Sequence, residues 1–78
     1  MYYVYILQLA DKSFYIGYSS DLKQRIAAHK NNQVSSTKGK QSVVLVWYAA
    51  FRSQTKATAF EKYLKSSSGF AFRNKHLL

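Results

Sequence analysis

The chain contains no cysteine and only three acidic residues among its 78. Without cysteine, neither a disulfide framework nor a cysteine-based zinc site can stabilise the fold, and two widely separated histidines do not make a structural metal site. This composition favours an intracellular, cytoplasmic protein. No apolar run approaches the roughly 18 residues of a membrane span, and strand-like tyrosines follow Met1 in place of a signal peptide. We therefore expect the mature protein to begin at Met1.

The shortage of acidic residues leaves a strongly basic chain. Twelve Lys and Arg against three acids give a formal net charge of +9. A charge this large is typical of proteins whose partner is rich in phosphate, so nucleic acid is the expected partner, with an affinity that falls steeply with salt. An acidic membrane surface or ribosomal RNA would also suit the charge, and a basic pI that merely keeps a small protein soluble is the plainer alternative.

Residue patterns predict one domain, residues 1–78, of the α+β class. A domain of this length buries only about 60–65 % of the surface that its unfolded chain exposes. Aromatic and β-branched runs predict strands, and apolar residues that repeat every three or four positions after a serine predict helices. The predicted order is strand Tyr2–Leu9, strand Phe14–Tyr18, a helix capped by Ser19 or Ser20 that runs to about Asn31, strand Val43–Phe51, a helix capped by Ser53 that runs to about Lys65, a break at residues 66–69 with Gly69 as a C-cap or turn residue, and a short helix from Phe70 to Leu77.

The first two strands are expected to form a hairpin. If a three-residue turn is centred on Asp11, Leu7 faces Tyr15 and Tyr5 faces Gly17. Side chains alternate along a strand, so both tyrosines then lie on one face of the sheet. Gly17 permits either a positive φ or the close approach of a backbone or a phosphate, although turn geometry alone would explain it.

Three charged or titratable residues interrupt the apolar stripes of the two longer helices. Arg25 and His29 lie on the first stripe and Glu61 on the second. Burying an unpaired charge is costly, so these residues need solvent at the sheet edge or a partner. Two interpretations stay open: a functional site with both tyrosines, Arg25 and Glu61 on one side of the sheet, or a structural Arg25–Glu61 salt bridge at the edge of the core. The stripes are Leu22, Arg25, Ile26, His29 and Ala57, Phe60, Glu61, Leu64.

The polar stretch from Asn31 to Ser42 carries Lys38 and Lys40 on either side of a glycine. Such a segment can present backbone N–H groups and ammonium groups to phosphates, so both lysines are candidate nucleic-acid contacts. An ordinary solvated loop is the alternative.

A family resemblance rests on the hairpin and the first helix. Val4-Tyr5-Ile6 is followed by Tyr15-Ile16-Gly17, by an arginine ten residues after Tyr15 and by a histidine four residues further on. This arrangement resembles the GIY-YIG nuclease family, and most closely its small single-domain members related to the nuclease domain of the bacterial excision-repair nuclease, the excinuclease. Val4 stands where the family name has glycine, a position that contributes backbone to a strand. Tyr18 replaces a lysine of the repair-nuclease branch, so the role of that lysine does not transfer.

The resemblance implies a three-stranded antiparallel sheet flanked by helices, in the order β-β-α-β-α-α, and phosphodiester hydrolysis with one Mg²⁺ or Mn²⁺. Position by position, it implies catalytic roles for Tyr5, Tyr15, Arg25 and His29, and a metal-binding, catalytic role for Glu61. Asn74 matches a polar residue near the C-terminus and is a further candidate nucleic-acid contact.

The chemistry needs residues of these types. A tyrosine whose pKa is lowered by nearby positive charge, or His29 acting with it, can deprotonate water, and which tyrosine serves stays open. Arg25 can bind the phosphoryl oxygens, and Glu61 can hold Mg²⁺. The predicted function is a divalent-metal-dependent DNA endonuclease of little sequence specificity, of the kind used in DNA repair. A nucleic-acid-binding module with little or no turnover and an RNA-associated basic protein are the alternatives.

Overall fold

A three-stranded antiparallel sheet with helices on both faces forms the centre of the computed structural model, which describes residues 1–31 and 43–78. The predicted contacts Lys38 and Lys40 lie outside the described residues. The predicted α+β class and element order are confirmed. The elements are β1 (Tyr2–Leu9), β2 (Phe14–Ser19), α1 (Leu22–Lys30), β3 (Val43–Phe51), α2 (Gln54–Leu64), α3 (Ser67–Phe72) and a π-helical C-terminal segment (Arg73–Leu77).

The register of the hairpin is the one that the sequence predicts. Tyr5 pairs with Gly17, and Leu7 pairs with Tyr15. The turn between the strands passes through the left-handed region at Lys12, whose φ is 72°. In the strand order β2-β1-β3, β1 is central, and residues 4–7 of that strand are fully buried.

The two longer helices cover opposite faces of the sheet. On one face, Leu22 and Ile26 of α1 pack against a cluster that includes Tyr5. On the other face, Ala57 and Leu64 of α2 pack against alternate residues of the same strands. Arg25 and Glu61 are therefore carried by helices on opposite faces, and the convergence of their side chains on one side of the sheet stays a prediction. The periodicity shows which residues of a helix face the sheet, but β1 is apolar on both faces and cannot show which face each helix covers.

The helix caps agree with the prediction for α2 and differ for α1. Ser53 caps α2 and accepts a hydrogen bond from the Lys56 N–H at 3.3 Å. The cap of α1 is Asp21, whose carboxylate accepts from the Gln24 N–H at 3.1 Å, instead of Ser19 or Ser20. A carboxylate is a strong cap because it also meets the positive end of the helix dipole.

The segment predicted as a break is a tight junction between α2 and α3. Ser66 caps α3 and accepts from the Gly69 N–H at 3.2 Å, so the third helix begins at Ser67 and Gly69 lies inside it, not at a C-cap. A Cβ on Gly69 would lie 2.7 Å from the Cα of Leu64, so glycine allows the two helices to touch. None of the helices within residues 1–31 and 43–78 has the length and apolar character of a membrane span.

Candidate active site

The phenol ring of Tyr5 lies across Gly17 of the neighbouring strand. Tyr5 is fully buried, and a Cβ on Gly17 would lie 2.7 Å from its Cε2 and still closer to Cζ and Oη. The group that approaches Gly17 closely is therefore this ring, and neither a backbone nor a positive φ is involved. The missing side chain lets the Tyr5 hydroxyl extend over β2, the edge strand.

His29, in the last turn of α1, meets that hydroxyl. Its Nε2 lies 3.0 Å from Tyr5 Oη, and only 1 % of the residue is exposed. Its ring stands edge-on to Tyr15, with centroids 4.9 Å apart, and edge-on to Tyr5 at 5.8 Å. Burial, and then the charge of Arg25, lower the pKa of His29 below its usual value. The imidazole is consequently neutral at pH 7, and one of its nitrogens can accept a proton.

The guanidinium of Arg25 lies close to Tyr5 and Tyr15. Hydrogen bonding to Tyr5 is the main reason that the pKa of Arg25 is raised, and hydrogen bonding to Tyr15 adds to it. Arg25 Nε is buried and has no hydrogen-bond acceptor within the described residues. An unsatisfied buried donor costs about 1–3 kcal/mol, so folded proteins rarely keep one without a use.

The electrostatics of Tyr5 correct one expectation. The pKa of Tyr5 is raised, chiefly by burial, although hydrogen bonding to Arg25 opposes the rise. The negative charges of ionised Tyr15 and of Glu61 raise it further. The sequence suggested a tyrosine whose pKa is lowered by nearby positive charge. At Tyr5 the shift is in the opposite direction, because desolvation outweighs the effect of the nearby guanidinium. In the resting site Tyr5 is a neutral phenol.

Glu61 approaches the cluster from the other face of the sheet. Its neighbour Phe60 packs against Trp47 and Phe51 of β3. Consecutive helix residues are about 100° apart, so Glu61 lies on the opposite flank of α2, towards β2. Its charge adds slightly to the raised pKa of Tyr5, although the two residues belong to elements on different faces.

The charge partner of Glu61 is Lys65. Lys65 Nζ lies 3.1 Å from Glu61 Oε2, and the Glu61 side chain is 22 % exposed. The alternative of a structural Arg25–Glu61 salt bridge is thus not formed. Lys65 was not predicted as the partner, although its position four residues after Glu61 on a helix is a signal that would have found it.

Glu61 can supply one oxygen ligand to a divalent ion. No group of three His, Asp or Glu residues suited to a metal occurs in residues 1–31 and 43–78. Magnesium nevertheless commonly binds through one or two carboxylates together with waters and substrate phosphates. A partly exposed carboxylate such as that of Glu61 fits such a shared site, provided that Lys65 releases it.

The C-terminal segment lies beside the cluster. Asn74 is exposed and accepts a hydrogen bond from Arg73 Nε at 3.3 Å. Arg73, which the sequence did not single out, is only 6 % exposed and places its guanidinium over the rings of Phe14 and Phe70. The structure thus brings together Tyr5, Tyr15, Arg25 and His29, whereas Glu61 belongs to the helix that covers the other face of the sheet.

Residues 1–75 match the family model of the GIY-YIG catalytic domain. The chain belongs to the GIY-YIG family. Among curated proteins it is 39 % identical over 66 residues to a UPF0213 protein of Clostridium perfringens, a match covering 83 % of this chain and 71 % of that protein. It is 38 % identical over 64 residues to a UPF0213 protein of Streptococcus pyogenes serotype M5, covering 81 % and 70 %.

Among solved structures, it resembles the solution NMR structure of a UPF0213 protein from Bacillus halodurans, with 33 % identity and a TM-score of 0.60. That match covers 96 % of this chain and 84 % of the NMR chain. The predicted family and the GIY-YIG-like fold are therefore confirmed. GIY-YIG domains are nuclease domains that generally use divalent metals, which gives the residue cluster at the β2 edge a chemical context.

Proposed function

We propose that this GIY-YIG protein is a divalent-metal-dependent endonuclease that hydrolyses phosphodiester bonds in DNA. The observation that carries the proposal is the unsatisfied, buried Nε of Arg25, held beside a tyrosine that is hydrogen-bonded to a neutral histidine. A buried, cationic N–H donor without an acceptor can bind a phosphate oxygen, and a neutral imidazole can accept a proton. Attack of water on a phosphate requires both groups.

Arg25 binds the scissile phosphate in this proposal. Its planar guanidinium can offer two parallel N–H groups to the non-bridging oxygens, and these bonds strengthen as charge grows there in the transition state. Tyr15 lies close to the guanidinium and would help to position it. The donor set addresses phosphate and leaves base edges unread, which accounts for little sequence specificity.

Tyr5 and His29 move the proton. As the water oxygen forms its bond to phosphorus, water gives a proton to Tyr5 Oη, and Tyr5 gives its own proton to His29 Nε2. The raised pKa of Tyr5 makes this concerted transfer preferable to a waiting phenolate. The bond between phosphorus and the leaving oxygen breaks in the same displacement. Mg²⁺ or Mn²⁺ held by Glu61 would supply stabilisation of charge on that oxygen.

Cleavage and melting temperature, measured side by side, test the proposal. Glu61→Gln keeps the volume and removes the charge that holds the metal, so magnesium-dependent cleavage should disappear while folding and binding in EDTA persist. Arg25→Lys should lose about 100-fold in rate, because an ammonium lacks the bidentate fork. Asp21→Asn is the matched control, since it removes the same charge as Glu61→Gln and asparagine still caps α1.

Three results would contradict the proposal. A wild-type protein that cleaves neither single-stranded, branched nor duplex DNA with Mg²⁺ or Mn²⁺ would favour the alternative of a nucleic-acid-binding module without turnover. Cleavage confined to RNA would favour the RNA-associated alternative. A Glu61→Gln variant that cleaves as fast as Asp21→Asn would remove the assigned metal ligand.

A further inference from the structure

A groove of about 300 Å³ adjoins the candidate active site along the edge of the sheet. We call it the β2 groove, and it is lined chiefly by Phe14, Tyr15, Lys65, Phe70 and Arg73. It shares Tyr15 with the cluster around Arg25, and it shares Lys65 with the ion pair of Glu61. A DNA strand with one phosphate at the cluster around Arg25 would therefore continue into this groove.

The groove contains an aromatic platform with one covered face. Phe70 is 53 % exposed although it is a large apolar residue. The guanidinium carbon of Arg73 lies 4.2 Å from the centroid of its ring, while the Arg73 residue is 6 % exposed. The cation–π contact with the buried Arg73 holds the Phe70 ring in place, and the guanidinium covers one side of that ring. The exposed remainder of the ring is available to a flat ligand.

Two cationic side chains adjoin this platform. The Arg73 guanidinium lies beneath Phe70, and Lys65 is an exposed ammonium at the same groove. An apolar peptide or a second copy of this basic chain would bring no compensating negative charge. A nucleotide supplies both a flat base and a phosphate, as alternating aromatic and cationic contacts to single strands require.

We propose that the β2 groove binds an unpaired nucleotide of a DNA strand next to the scissile phosphate, with its base stacked on Phe70 and its phosphate near Lys65. The proposal rests on the proposed nuclease function for its position relative to the cut. Bases of an intact duplex are stacked inside the helix and cannot reach Phe70, so the groove favours single-stranded or flap-containing substrates.

Fluorescence anisotropy with a single-stranded DNA 12-mer in EDTA tests the groove without any cleavage. Phe70→Ala should weaken binding about 10-fold, as expected when one base loses its stacking partner. Phe70→Leu, which keeps apolar cover over Arg73 but lacks a ring, should be weakened similarly, and Phe70→Tyr should bind like the parent. A 12-mer duplex should bind all four proteins equally.

Phe72→Ala is the matched control. Phe72 lies on the same helix and is 36 % exposed, but it packs against Tyr63 and His76 outside the groove. Equal losses in Phe70→Ala and Phe72→Ala, or normal binding by Phe70→Leu, would overturn the proposal. The same effect on an RNA 12-mer with none on DNA would overturn its choice of strand. Binding that depends on Phe70, without any cleavage by the parent protein, would refute the nuclease proposal and support the groove proposal. Cleavage by the parent protein, with normal DNA binding by Phe70→Ala, would support the nuclease proposal and refute the groove proposal.

Discussion

Replacing Gly17 by alanine should displace the catalytic tyrosine of the proposed mechanism. The added Cβ would lie 2.7 Å from Tyr5 Cε2 and nearer to the atoms at the end of the ring. Carbon atoms in contact prefer about 3.5–4.0 Å, so the ring has to move by about 1 Å. Tyr5 is fully buried beneath α1, so such a movement disturbs its neighbours.

Two costs combine in this variant. Overpacking a dense interior costs about 1–3 kcal/mol. The same displacement strains the 3.0 Å bond between Tyr5 and His29, and a buried polar group left unpaired costs about 1–3 kcal/mol more. We expect Gly17→Ala to lose about 2–6 kcal/mol of unfolding free energy, which is a large share of the roughly 5–15 kcal/mol that a folded domain has.

Urea unfolding of a double-mutant cycle measures whether the ring is the cause. With Tyr5→Leu as the background, the ring is gone and Gly17→Ala should cost less than about 1 kcal/mol. Gly69→Ala is the control, because its Cβ meets the Leu64 backbone and its cost should not depend on Tyr5. A Gly17→Ala variant as stable as the parent, or one whose cost is the same with and without the Tyr5 ring, would refute the reasoning.

Three further predictions concern charge. Burial keeps the pKa of His29 below 6.5, whereas the unfolded imidazole protonates near that value, so the unfolding free energy should fall as the pH drops below 6.5. His29→Gln should lose this pH dependence in urea unfolding. An unchanged dependence of the unfolding free energy on pH would contradict the prediction. Lys65→Met should strengthen Mn²⁺ binding a few-fold in titrations without DNA, because an exposed pair with Glu61 is worth about 0–1 kcal/mol, and unchanged affinity would mean that Lys65 does not compete. Binding of DNA should weaken steeply between low and physiological salt, with Lys38 and Lys40 contributing, and a salt-independent affinity would rule out the electrostatic account.

The hairpin shows what local rules predict well. Strand limits, register and the shared face of Tyr5 and Tyr15 follow from alternation and from a short turn, and both β1 and β3 have the predicted bounds. The closeness of Tyr5 to Gly17 across the strands was also contained in that register. The pairing pattern does not fix the direction of the Tyr5 side chain, so it could not show that Gly17 makes room for the Tyr5 ring.

The helices show where local rules stop. The stripes on α1 and α2 identify the buried faces, yet the choice of sheet face depends on how each chain segment crosses the sheet. The sequence left Phe72 or Arg73 as the inward residue of the third helix, and the burial of Arg73 was not predicted because basic residues are ordinarily exposed, whereas here two aromatic rings cover its guanidinium. The net effect of burial on the pKa of Tyr5 also required the packed structure, since charge alone suggested the opposite direction.

The placement of the helices on opposite faces restricts where a phosphate can bind. Arg25 belongs to the α1 face and Glu61 to the α2 face, so a phosphate touching both groups cannot lie flat on either side of the sheet. The edge strand β2 is where both faces are within reach, and there Gly17 leaves room for the buried Tyr5 ring to lie across the strand. The β2 groove opens along this same edge. The proposed hydrolysis therefore requires a strand that wraps around an edge, and a flexible single strand can follow that path with less bending cost than a stiff duplex.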